Sequence, residues 1–86
     1  MTAPAVTIYT TSWCGYCERA RRLLTSKGVS FKDVDVEASP QSRAEMQQRS
    51  GRTSVPQIFI GDQHVGGSDD LIALERAGKL DALLGK

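Results

Sequence analysis

Apolar residues recur with period two at the start of the chain, with helical period a few positions later, and the rhythm then switches back. Such switching restricts the fold to strands and helices interleaved along the sequence. Residues 5–10 alternate Val6 and Ile8 with Thr7 and Tyr9, a β-branched pattern that predicts a strand. From Cys17 onward, Ala20, Leu23 and Leu24 recur at helical spacing, and Gly28 stands where a left-handed terminator belongs. Val29, Phe31, Val34 and Val36 predict a second strand over Val29–Val36, with a phase slip after Phe31 that implies a bulge or burial of both faces. Ser39-Pro40 is a helix cap followed by proline at the first helical position, and Gly51 closes that helix; Ala44 and Met46 give it a weak apolar side. Gln57–Ile60 and Gln63–Gly66 flank the tight turn Gly61-Asp62 as a β-hairpin. Ser68 is the expected cap of a third helix running through Ala77, with Leu71, Ile72 and Leu74 inside. A last short turn carries Leu80, Leu83 and Leu84. The order β-α-β-α-β-β-α, two βαβ-like units joined to a hairpin, predicts an α/β fold: a mixed sheet with helices on both faces.

No repeat, low-complexity tract or linker divides the 86 residues, so one domain over residues 1–86 is expected. A core of this size is thin, which places any active site near the surface. Eleven basic and ten acidic side chains leave a net charge of +1 and no basic excess for a nucleic acid partner. No apolar run is long enough to span a membrane, and Met1 through Val6 carry neither a basic nor an apolar stretch of a secretory signal. Two cysteines are too few for a disulfide-stapled secreted scaffold. A cytoplasmic location is the expectation.

Cys14-Gly15-Tyr16-Cys17 is the reactive constellation of the chain. It falls between the first strand and the first helix, where unpaired N–H groups and the helix dipole stabilise a thiolate on Cys14. Cys17 lies one turn on, on the same side, with Cβ atoms roughly 5–6 Å apart before local adjustment, so a reversible disulfide is geometrically easy. Cys14 is expected to be ionised at neutral pH, and Cys17, facing the sheet, to remain a thiol. Two cysteines can also be small core hydrophobes, or half of a zinc site. Zinc wants four ligands, and the chain has one histidine and no second pair of cysteines. That histidine, His64, reads as a polar strand residue of the hairpin. Arg19, Arg21, Arg22 and Lys27 read as a solvated helix face.

These blocks resemble the dithiol glutaredoxins of the thioredoxin superfamily. The likeness covers nearly the whole chain: the strand ending in Tyr9-Thr10, the CGYC pair, Ser54-Val55-Pro56, and Gly66-Gly67-Ser68-Asp69-Asp70. Trp13-Cys14-Gly15 echoes thioredoxins proper, while Tyr16 and the Gly66-Gly67 block side with glutaredoxins. The resemblance implies a thioredoxin-like fold with a four-stranded sheet and a glutathione site. It implies a cis Val55-Pro56 bond, where base rates alone favour trans. The backbone of Val55 would pair like a strand with the cysteinyl part of glutathione. Gly67, Ser68 and the helix start would hold its γ-glutamyl carboxylate, and Asp69 or Asp70 its ammonium group. Arg43 would meet the glycyl carboxylate, and Tyr16 would flank the ligand. An edge-strand proline, a plain helix cap and a solvated arginine are the competing readings of these segments.

The chain departs from the common dithiol pattern at two positions. Gly15 stands where proline is usual, which loosens the turn, and Thr11 stands where a lysine is usual. Glycine at this position also occurs in relatives that bridge a [2Fe–2S] cluster between two subunits, with two glutathiones completing four thiolates. The implied function is glutathione-dependent thiol–disulfide oxidoreduction, with Cys14 as nucleophile and Cys17 as resolving thiol. Its partners would be glutathione and glutathionylated or disulfide-containing proteins, and it would act as a monomer. The alternative is a glutathione-bridged homodimer carrying [2Fe–2S] on Cys14.

Overall fold

The computed structural model describes residues 4–86, so expectations touching residues 1–3 lie outside the described residues. The elements are β1 (Val6–Thr10), α1 (Gly15–Ser26), β2 (Lys32–Asp35), α2 (Pro40–Ser50), β3 (Gln57–Ile60), β4 (Gln63–Gly66), α3 (Ser68–Arg76) and the short α4 (Leu80–Leu83). The sheet order is β2-β1-β3-β4. β1 runs parallel to β2 and antiparallel to β3, and β4 returns antiparallel beside β3. Only the first of the two expected βαβ-like units therefore has parallel strands.

The sheet separates two apolar clusters. On one face Val6, Ile8, Ile58 and Ile60 meet Ala20 and Leu24 of α1, Leu71 of α3, and Leu80 and Leu84 at the carboxyl end. On the other face Tyr9 and Phe59 meet Val36 and Met46. Successive strand residues point to opposite faces, so the central strands β1 and β3 are apolar on both sides. The same geometry explains the phase slip after Phe31. Val29 and Phe31 pack on the α1 face while Val34 and Val36 pack on the α2 face. No bulge is needed there, because β1 and β2 stay in register from Thr7↔Lys32 to Thr10↔Asp35. The irregularity instead lies between Ile58 and Phe59, opposite β4.

The second strand is shorter than its apolar residues suggest: Lys32–Asp35 is the segment in register with β1 at the sheet edge, followed by one bond from the Val36 N–H to the Thr10 carbonyl at 2.9 Å. In α2, Ser39 caps as expected, its hydroxyl accepting from the Ser42 N–H at 3.1 Å, and Gly51 ends the helix in the left-handed region at φ 70°. Met46 carries the buried side alone, since Ala44 is exposed. α3 corrects another expectation. Its cap is Gly67 and not Ser68, which is already helical, and the Asp70 carboxylate accepts from the Gly67 N–H at 3.0 Å.

Two of the supposedly solvated cations brace the helices. Arg21 donates from Nε to Asp33 Oδ2 at 2.6 Å and from Nη2 to Thr10 Oγ1 at 2.8 Å, tying α1 to β2 and β1. Lys27 Nζ lies 2.6 Å from Glu75 and 3.0 Å from Asp81, tying α1 to α3 and to α4. Partly buried pairs of this kind fix geometry more than they add stability, so the clusters dominate the energetics. Leu24→Ala should lower the unfolding free energy by about 2–5 kcal/mol in urea titration. A loss below about 1 kcal/mol would contradict the close packing of α1 on the sheet.

Candidate active site

β1 ends at Thr10, and the chain turns through Thr11, Ser12 and Trp13 to Cys14, the cap residue of α1. Cys14 has extended backbone angles (φ −99°, ψ 113°), and its sulfur stands in the place of a capping oxygen. The Cys17 N–H donates to Cys14 Sγ at 3.2 Å. The positive end of the helix dipole lies at the same place. Sγ also lies 3.8 Å from the Val55 carbonyl oxygen, toward which a thiol proton would point. Gly15 is the first helical residue, and a Cβ added there would meet nothing within 4 Å. Its departure from proline therefore concerns chain stiffness and not space.

The second cysteine differs sharply. Cys14 is partly exposed and Cys17 fully buried. Burial first, then the hydrogen bond and charge of the Cys14 sulfur, push the Cys17 thiol up to about 12, against the smaller opposing pull of the Thr11 backbone and Arg21. One sulfur is presented to solvent and the other is held in reserve as a thiol.

Beside Cys14 opens a groove of about 290 Å³. Tyr16 lines it from the first turn of α1, and Ser54, Val55 and Pro56 from the loop before β3. Gly67, Ser68, Asp69 and Asp70 line it from the start of α3. The Val55-Pro56 bond is cis. Gly66 enters the α3 turn at φ 118°, and a Cβ there would run into the Asp70 carboxylate that caps Gly67. A Cβ on Gly67 would sit 3.6 Å from the Pro56 carbonyl oxygen, so the two backbones approach closely.

Arg43 is half-exposed on α2 and is not among the lining residues; the guanidinium that lines the groove belongs to Arg52. Its Nη1 lies 3.8 Å from Asp70 Oδ2, giving one end of the groove both signs of charge. Gln57, almost wholly buried, is the other lining residue absent from the sequence reading. Both flank Ser54-Val55-Pro56 closely in sequence, the one signal that pointed to them. Trp13 and Tyr16 are 89% and 57% exposed, which leaves an aromatic rim around Cys14, with the Arg19 guanidinium 5.6 Å above the Tyr16 ring centroid.

A thiol pair at the end of a central strand, one sulfur capping a helix beside a cis-proline loop, defines a thioredoxin-like thiol–disulfide site. Residues 6–65 match the family described as glutaredoxin. A glutaredoxin of Pseudomonas aeruginosa is 60% identical over 81 residues, covering 94% of this chain and 96% of that one. The solution structure of a Brucella melitensis glutaredoxin superposes with TM-score 0.85 at 57% identity, over 100% of this chain and 96% of that one. A buckwheat glutaredoxin–glutathione complex superposes with TM-score 0.85 at 29% identity, over 96% and 77% of the two chains. A further structure, described as metal binding of glutaredoxins, is 60% identical with TM-score 0.73, over 95% and 89%. The chain belongs to the glutaredoxin family, and thiol–disulfide oxidoreductase chemistry is what that membership implies.

The burial contrast predicts that iodoacetamide at pH 7–8 modifies one thiol per folded chain, Cys14, while Cys17 reacts only on unfolding. Modification of both at similar rates, read by mass spectrometry, would contradict the placement of Cys17. Gly66→Ala should cost about 1–3 kcal/mol of stability, since alanine must take a strained φ and displace the Asp70 cap. Wild-type stability for that variant would show that the turn relaxes freely.

Proposed function

We propose that the chain is a glutathione-dependent thiol–disulfide oxidoreductase that reduces protein–glutathione mixed disulfides and protein disulfides. The observation that carries this reading is the partly exposed Cys14 sulfur at a helix start, 3.8 Å from the Val55 carbonyl that borders the groove. Glutathione would lie along Val55 in strand-like pairing, a mode that recognises extended peptides through their backbone. Its γ-glutamyl carboxylate would meet the free N–H groups at the start of α3 and the Arg52 guanidinium. Asp70 is occupied by its cap on Gly67, which leaves Asp69 as the freer carboxylate for the ammonium group. The glutathione complex of the buckwheat relative supports this assignment of the ligand.

In the first step the Cys14 thiolate attacks the glutathione sulfur of a mixed disulfide. The S–S bond breaks, and the protein sulfur leaves as a thiolate that takes a proton. A second glutathione, as thiolate, attacks the glutathione sulfur on Cys14, releasing glutathione disulfide and restoring the Cys14 anion. With a protein disulfide, Cys14 forms a mixed disulfide with one substrate sulfur, and Cys17 then attacks Cys14, forming the Cys14–Cys17 disulfide and freeing the substrate dithiol. Two glutathiones in turn reduce that disulfide and leave as glutathione disulfide. Burial, more than the neighbouring sulfur, keeps Cys17 a thiol until the resolving step. Potentials of such proteins lie at roughly −200 to −230 mV, near the cytosolic glutathione poise, so the glutathione ratio sets direction. A reducing compartment such as the cytoplasm suits that chemistry, with the chain working as one domain and a monomer.

A second reading is favoured by Gly15 and by the relative described in terms of metal binding. Among the described residues no group of three or more His, Cys, Asp or Glu is placed to hold a metal. A [2Fe–2S] cluster needs four thiolates, so Cys14 would supply one, a second copy another, and two glutathiones the rest. Anaerobic reconstitution with iron, sulfide and glutathione would then give visible absorbance and a dimer. A colourless monomer would remove this reading.

In a glutathione-coupled assay on a glutathionylated peptide, Cys14→Ser should abolish turnover, while Cys17→Ser should retain it and lose reduction of protein disulfides. Turnover by Cys14→Ser at the wild-type rate would overturn the assigned roles.

A further inference from the structure

A polar chain centred on the buried Gln57 runs from the half-buried His64 of the hairpin to the exposed Ser54 beside the groove, and the mechanism above does not use it. Gln57 on β3 is 1% exposed. Its amide Nε2 donates to the Ser54 carbonyl at 3.0 Å and lies 3.2 Å from the Ser54 hydroxyl. A backbone carbonyl can only accept, so the NH2 end of Gln57 must face Ser54. The Oε1 end therefore faces His64 Nε2, 2.7 Å away on β4, and that nitrogen must be the donor. The His64 ring is also held flat against Phe59, with centroids 4.8 Å apart and planes at 26°. Both ends of the Gln57 amide are therefore engaged, one by Ser54 and one by His64.

We infer that His64 is a positioning residue for the groove: its Nε2–H fixes the Gln57 amide, which in turn pins Ser54 immediately before the Val55-Pro56 edge. This rests on the reading of that edge as the glutathione-pairing segment. Burial, then the positive charge of Arg52, hold His64 below its ordinary value, against the opposing pull of Asp70, so the neutral ring prevails at neutral pH. Protonation would add hydrogen at Nδ1 and leave the Nε2–H contact in place. The chain is thus a fixed brace and not a pH switch. The Ser54 carbonyl lies one peptide from Val55, so loosening Gln57 blurs the edge that must meet an extended ligand, without touching either sulfur.

Three single variants, one double variant and one spectrum test the inference. Nitrogen-15 NMR of the wild-type chain at pH 7.5 should show His64 with hydrogen on Nε2 and none on Nδ1; the opposite tautomer would overturn it. His64→Phe keeps the stack on Phe59 and removes the donor. It should raise KM for a glutathionylated peptide about three- to tenfold while kcat stays within about twofold. His64→Gln, which restores a donor without the ring, should return KM to within about twofold of wild type. Gln57→Leu should reproduce the KM effect, and adding His64→Phe to it should change nothing more, because two links of one chain are not additive. A wild-type KM for His64→Phe, or full additivity in the double variant, would sink the positioning role. Absence of turnover by the wild-type chain would instead sink the glutathione-dependent function, leaving the tautomer to be read by itself.

Discussion

The N–H of Cys17 donating to the sulfur of Cys14 is the contact on which the site depends. It makes a cysteine do the work of a serine or aspartate at a helix cap. Structural and chemical roles then coincide, because the helix end that needs an acceptor is met by the sulfur that faces Val55. The contact requires α1 to begin at Gly15, and α1 is held there by burial of Ala20 and Leu24 and by the Arg21 tie to Thr10 and Asp33. Cys17 shares that helix and is carried into the core by the same packing, so one helix presents one sulfur and hides the other.

The remaining walls of the groove come from segments far away in sequence, and the two-faced sheet brings them in. β3 pairs directly with β1, which places Val55-Pro56, just before β3, next to the loop that follows β1. β4 continues the sheet and delivers Gly66 and Gly67 to the start of α3, close to the Pro56 carbonyl. All three segments lie at the same end of the neighbouring strands β1, β3 and β4. The polar chain from His64 through Gln57 to Ser54 crosses that end within the sheet, so the loop is braced from the hairpin as well as by its own backbone.

Much of this architecture was legible because local signals agreed with tertiary need. The alternation of Val6 and Ile8, the Ser39-Pro40 cap and the Gly61-Asp62 turn each specify one conformation, and the elements they predict are present. Errors arose where the deciding partner was distant. The limits of β2 are set by pairing with β1 and not by its apolar residues. The cap of α3 is the local exception, decided by Asp70 reaching back three residues to the Gly67 N–H. Arg21 and Lys27 look like surface charge until their carboxylate partners on other elements are known. Within the site, the cysteine pair was readable from spacing alone, and the cis bond at Val55-Pro56 only from family likeness. Arg52 and Gln57 escaped notice because their roles depend on Asp70, Ser54 and His64 meeting in space.

Trp13, the single tryptophan of the chain, stands almost fully in water one residue before Cys14. An indole in that place is a built-in fluorophore whose emission is exposed to any change at the neighbouring sulfur. Chemistry at that sulfur can therefore be sought optically, in real time and without a label.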